Sequence, residues 1–179
     1  LASMSMELIS MEHWEHFYSD PEELRRAKQE QLEGVLETLP WIACIDAYQH
    51  WLYQNPTHSI DERTNAWLKI HSDFSSKVVD WSENKADLEA KWQKQLHLFE
   101  VPFYYIEYGM AQLGALSIYM NYRQNKQKAL QQYQNFLNLG YTRSVKEIYK
   151  TAGISFDFSE ERIRTLVDFV SEELEKLEE

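Results

Sequence analysis

HLFEVPFYYIEYGMAQLGALSIYM, running from His97 to Met120, sets a histidine, a proline and five aromatic residues ahead of a run of small side chains. Proline lacks an amide donor and has a fixed φ, so it is accepted in the first turn of a helix and disfavoured deeper in. The stretch therefore predicts a helix that begins at Pro102 and runs to about Gln124. On that helix Tyr108 shares a face with Tyr105 at i,i+3 and with Tyr104 at i,i+4. His97 lies just before the break, close enough for its imidazole to fold back toward the phenols. Such a group could donate hydrogen bonds to one oxygen. The plainer reading is that aromatic residues at helical spacing are core, with a satisfied buried histidine among them, which is the commoner use of such stripes. Gly109 and Gly114 each cost roughly 1 kcal/mol inside a helix relative to alanine. With Ala111 and Ala115 they predict the close approach of another backbone.

Outward from this stretch, the chain is helical. Glycine (5) and proline (4) are scarce, Asn-Gly turns are absent, and long windows repeat near 3.6 rather than 2, so the fold class is all-α with several helices. Residues 1–17 place Ser3, Met4, Glu7, Leu8 and Met11 on one stripe. Ser19-Asp20-Pro21-Glu22-Glu23 supplies a cap, a first-turn proline and acids for a helix over about 21–39, which Pro40 interrupts or kinks. Trp41–Gln54 is apolar nearly all round, as a central helix is. Ser59-Ile60-Asp61-Glu62 reads as a capping box for a helix to about Ser76, and another covers about 84–98. Helices over 126–139 and 144–152 stop at Gly140 and Gly153. Ile154 to Phe158 forms a short apolar loop, and Ser159 caps a last helix carrying Ile163, Leu166, Val170 and Leu174. A chain of 179 residues without repeats or linkers is expected to form a single domain over 1–179.

Charge narrows the function. With 29 acidic and 18 basic residues the net charge is −11, and the longest basic cluster is Arg25, Arg26 and Lys28. Nucleic acid and anionic membrane are not expected partners. Acidic or polar residues interrupt every apolar run well short of the roughly twenty residues of a membrane span. Cys44 stands alone and no leader pattern opens the chain, so a cytoplasmic location is expected. The start at Leu1-Ala2-Ser3 fits a piece of something longer.

None of the six histidines opens an HExxH motif, and none has a glutamate three residues before it, so neither a zincin site nor a paired di-iron bundle site is present. His13 and His16, beside Glu12 and Glu15, form a weak metal pair at most, and read more simply as a solvated helix end. His50, His58 and His71 are isolated and read as structural or exposed. Phosphate loops, cysteine motifs and nucleophile elbows are missing as well.

Several ordered blocks nevertheless carry a resemblance over essentially the whole chain. These are Ala2-Ser3-Met4-Ser5-Met6-Glu7-Leu8, Leu39-Pro40 running into Ile45-Asp46-Ala47 and Gln49-His50-Trp51-Leu52-Tyr53, His97 with Pro102-Phe103-Tyr104-Tyr105-Ile106-Glu107-Tyr108, and Ala152-Gly153-Ile154 with Phe156-Asp157-Phe158. The chain resembles the C-terminal part of the oligoendopeptidase F and thimet oligopeptidase family of zinc metallopeptidases. The resemblance implies a helical lobe of a deeply clefted peptidase that hydrolyses short peptides. In that family HExxH supplies two zinc ligands and the general base, and a later glutamate is the third ligand; here that glutamate would fall immediately before Leu1. The chain is thus expected to hold no zinc ligand, to bind no cofactor itself, and to be inactive without the N-terminal part of the same peptidase.

By resemblance, His97, Tyr105 and Tyr108 hold the peptide and stabilise the oxyanion. Tyr104 is open as a substitute for Tyr105 and otherwise binds substrate, together with Ile154 and Phe156. Glu7, about two turns along the helix from the missing ligand, would hydrogen-bond behind it. A lobe with uncovered apolar faces is also expected to self-associate as a dimer or higher oligomer. The rival reading is a stand-alone helical peptide-binding or interaction module without catalysis.

Overall fold

The computed structural model describes residues 1–178. Helix α1 spans Ala2–Ser10 and passes into a 3-10 turn over Met11–His16. Asp20 Oδ1 accepts the Glu22 and Glu23 amides at 2.7 and 3.3 Å, starting α2 (Pro21–Gln54). The expected division at Pro40 does not occur, and α2 continues through it. Pro40 removes the amide that would bond the Leu36 carbonyl. The helix persists because both sides are buried, Leu32 and Val35 before the proline and Ile42, Cys44, Ile45 and Tyr48 after it.

The Ser59 capping box forms as expected, with the Glu62 amide donating to Ser59 Oγ and the Ser59 amide donating to Glu62, and it opens α3 (Ile60–Phe74). The single helix expected over 84–98 is instead broken. A 3-10 turn over Ser82–Asn84 leads into α4 (Lys85–Ala90), then a second 3-10 turn over Lys91–Lys94, then the short α5 (His97–Glu100). Trp92 is buried within this segment and Gln95 is tied to Trp41, contacts that override the local helical pattern. Next come α6 (Ile106–Gln124), α7 (Lys126–Leu139), α8 (Val145–Thr151) and α9 (Glu160–Glu178). Asn125 caps α7, Ser144 builds a capping box on α8, and Gly153 takes the left-handed conformation (φ 76°) that glycine adopts without strain. No strand occurs among the described residues, and the fold is all-α.

The described residues group into two compact units, with boundaries inside α2 and α6: unit one is Leu1–Leu36 with Met110–Glu179, and unit two is Glu37–Gly109. In unit one Leu8, Ile9, Met11, Leu116, Ile118, Leu166 and Val170 form the interior. Leu166 and Val170 are the inner part of the expected α9 stripe, while Ile163 lies at its exposed edge. The close approach at Gly114 comes from side chains rather than backbone, since a Cβ there would meet Leu1 Cδ1 at 2.7 Å and Tyr149 Oη at 3.0 Å. In unit two Cys44, Ile45, Tyr48, Trp67 and Trp92 form the core, and Gly109 faces Ile42 Cγ2 at 3.2 Å from a built Cβ.

An ion network fixes unit one. Arg123 bonds Glu12 at 3.0 Å and Glu173 at 3.2 Å; Lys126 pairs with Glu12, and Lys176 with Glu173 at 2.7 Å. Burial alone would raise the Glu12 carboxyl, but Lys126 and Arg123 outweigh it and hold the group below its ordinary value of 4.5. A carboxyl depressed on folding stabilises the native state above 4.5 and loses that contribution as pH falls through its folded value. Glu12→Gln is therefore expected to be less stable than the parent at neutral pH, with the gap closing under acid. Urea midpoints of both proteins across that range check this, and a gap independent of pH would refute it.

Candidate functional site

The predicted cluster assembles in unit two, but not on one helix. Pro102 does not start a helix. It occupies the second position of a turn closed by the Tyr104 amide and the Val101 carbonyl at 3.3 Å, with Phe103 left-handed at φ 57° in the third. That is the pattern of a type II turn, whose third position normally calls for glycine or asparagine. A left-handed phenylalanine cannot continue into a helix directly, which delays α6 to Ile106 and leaves Tyr104 and Tyr105 ahead of it. The turn is held from α2. Gln49, 1% exposed, accepts the Phe103 amide on Oε1 at 2.8 Å, and the Phe103 ring packs against His50 and Tyr53 at 4.9 and 4.8 Å between centroids.

With the turn so fixed, three phenol rings surround the His97 imidazole. Tyr105 is nearest at 4.8 Å, Tyr108 lies edge-on at 5.5 Å, and Tyr104 stacks parallel at 6.2 Å. Tyr108 is in turn 5.6 Å from both Tyr104 and Tyr105. Tyr104 is exposed while Tyr105, Tyr108 and His97 are half-buried, so the group opens to solvent on the Tyr104 side.

A residue that sequence reading missed sets the orientation of the imidazole. The Trp41 indole donates to Gln95 Oε1 at 3.0 Å, and Gln95 Nε2 lies 2.7 Å from His97 Nδ1. An indole N–H can only donate, so the amide oxygen is fixed on it and the amide nitrogen must face His97. Nδ1 of the neutral ring is then the acceptor, and its proton is on Nε2. No local signal marks Gln95, because Trp41 is 54 residues away in sequence. Burial pushes the Tyr105 phenol above its ordinary value, with Trp41 opposing and Tyr108 adding to the rise.

Glu7, Ile154 and Phe156 lie in unit one. Glu7 is exposed on α1. Ile154 and Phe156 line one surface cavity of about 710 Å³ with Lys146, Lys150 and Arg162, and Phe156 packs edge-on against Tyr149 at 5.0 Å. No helix among the described residues is long and apolar enough to cross a membrane. Among those residues, the His, Cys, Asp and Glu side chains with three ligand atoms close together are His13, Glu15 and His16. His97 is surrounded by phenols and an amide, a donor set that does not fit a zinc shell.

Comparison with known proteins bears on this geometry. A structure of PZ peptidase A with an inhibitor is similar with a TM-score of 0.87 and 27% identity, the match covering 97% of this chain and 31% of that one. An oligoendopeptidase F structure gives a TM-score of 0.82 at 27% identity, over 97% and 30% of the two chains. An oligoendopeptidase F from Bacillus anthracis gives 0.75 at 28% identity, over 97% and 27%. The chain thus spans about 30% of the length of the structures it matches. No curated protein sequence matches it. The family model for peptidase family M3 matches residues 1–168, nearly the whole chain, and on that match the chain belongs to peptidase family M3.

Proposed function

We propose that the chain is the C-terminal segment of a zinc-dependent oligoendopeptidase acting on short peptides, and that its part is to bind the peptide and steady the oxyanion. The observation that carries the reading is the ring of Tyr104, Tyr105 and Tyr108 around an imidazole whose Nδ1 lies 2.7 Å from Gln95 Nε2, which leaves Nε2 as the donor. Hydrogen-bond donors aimed at the place where negative charge develops stabilise the transition state more than the ground state. His97 Nε2–H and the hydroxyls of Tyr105 and Tyr108 are such donors, while Tyr104 at the exposed edge offers a ring and hydroxyl to the incoming chain. Gln95 is a positioning residue, since it acts through His97. Membership of family M3 and the likeness to oligoendopeptidase F support the reaction class.

The zinc that the resemblance implies would sit on residues of the N-terminal part of the same peptidase. None of the donors around His97 is asked to hold it. In unit one, Ile154 and Phe156 would contact substrate from their cavity, and Glu7 would hydrogen-bond behind a metal ligand that precedes Leu1.

The segment's own share is open to test without the rest of the enzyme. A short peptide titrated into the 179-residue chain is expected to move the ring resonances of His97, Tyr105 and Tyr108. His97→Ala should weaken that binding roughly tenfold, the worth of one net hydrogen bond. Peptide binding that leaves those resonances in place, or that survives His97→Ala unchanged, would remove the site from the proposal.

A further inference from the structure

We infer a surface site for one divalent transition-metal ion at His13, Glu15 and His16, separate from the aromatic cluster. It revises the expectation that this chain offers no metal ligand. One ligand atom from each of the three exposed side chains lies within 4.8 Å of the others. The backbone explains why. Met11–His16 is a 3-10 turn, and in that winding residues i and i+3 are eclipsed rather than offset as in an α-helix. His13 and His16 therefore stand directly above one another, with rings near parallel (9°) at 6.5 Å between centroids. Glu15, adjacent in sequence, brings a carboxylate to the same side.

The surroundings leave these donors available and their backbone fixed. Glu12, the other nearby carboxylate, is taken by Arg123 and Lys126. Among the described residues Glu15 makes no ion pair, so its charge is not neutralised by a neighbour. The turn is pinned at its start by buried Met11 and by the Glu12 pairs, and the Trp14 indole donates to Ser10 Oγ at 3.1 Å.

Two imidazoles and a carboxylate are the donor set of zinc, copper and nickel rather than of magnesium or calcium. Ligands about 2.0–2.2 Å from a tetrahedral ion lie about 3.3 Å apart, so the three side chains need to close by roughly 1.5 Å at most. Exposed side chains can do so by rotating about χ1 and χ2. Three protein ligands leave a fourth position for water, the open form of a zinc site. The bound ion would clip one face of the turn that connects α1 to α2.

Calorimetry with zinc chloride on the 179-residue chain tests the inference. The expected result is saturable uptake of one ion per chain. His13→Ala and His16→Ala should each weaken it at least about 10-fold, the loss already caused by removing mere outer partners of a ligand, while His58→Ala leaves it unchanged. Circular dichroism should show the same helix content in every variant. Independently of any variant, zinc should shift the imidazole resonances of His13 and His16 and leave those of His97 in place. Absence of saturable binding for zinc, nickel and copper overturns the site, as does equal affinity in the double variant or a zinc response at His97 instead.

Discussion

Replacing Tyr108 with phenylalanine in the intact peptidase is expected to lower kcat by about 10²- to 10³-fold, the cost of one oxyanion donor, with Tm nearly unchanged. The change removes a hydroxyl and keeps the ring, so the edge-on contact with His97 at 5.5 Å survives and only the hydrogen bond is lost. His97→Ala should act on the same step and to a similar degree. Because both donors would serve one oxygen, the double mutant should lose less than the product of the two single losses. A purely structural Tyr108 predicts the opposite pattern, a drop in stability with kcat intact. Steady-state kinetics beside thermal melts separate the two, and parental turnover in either single mutant at full zinc content sinks the donor role.

Trp67→Ala carries the largest expected effect on stability, about 3–5 kcal/mol, because it empties the centre of unit two. Trp67 is fully buried, meets Tyr48 edge-on at 5.1 Å and Trp41 at 6.0 Å, and donates its indole N–H to the Leu88 carbonyl at 2.7 Å. The milder Trp67→Phe keeps much of the packing and removes one of the two hydrogen bonds that the Leu88 carbonyl accepts, the other coming from the Lys91 amide, at about 0.5–1.5 kcal/mol. Urea unfolding followed by tryptophan fluorescence measures both. A loss under about 1 kcal/mol for the alanine variant would mean that the cavity collapses freely and that the aromatic core is not rigid. Since Trp41 touches both Trp67 and Gln95, the alanine variant should also disturb the orientation of His97.

The helical class and many helix ends were legible because they depend on neighbours in sequence. Ser59 with Glu62, Asp20 before Pro21, and Gly140 after Leu139 mark termini through hydrogen bonds that span at most four residues. The gathering of His97 with Tyr104, Tyr105 and Tyr108 was legible for a similar reason, since all four lie within twelve residues of one another. Failures came where distant partners decide. Pro102 looked like a first-turn proline, but Gln49 on α2 captures the Phe103 amide and stabilises a left-handed turn that a phenylalanine would not adopt alone. The segment 84–98 has helical periodicity, yet burial of Trp92 and the Trp41–Gln95 bond break it into short pieces. His13 and His16, beside Glu12 and Glu15, read from sequence as a solvated helix end, because the local pattern does not mark the 3-10 winding that eclipses positions 13 and 16.

The left-handed Phe103 has a further consequence. A non-glycine residue in that region stores about 1–3 kcal/mol, a bias of roughly 5- to 150-fold toward a relaxed backbone, which the Tyr104–Val101 bond and the contacts with Gln49, His50 and Tyr53 offset. Any ligand that draws the Phe103 ring out of its stack, or competes for the Gln49 oxygen, releases that strain as it binds. The Gln49 oxygen and the Phe103 stack therefore store strain directly beside His97, which a ligand that displaces them would recover as binding energy.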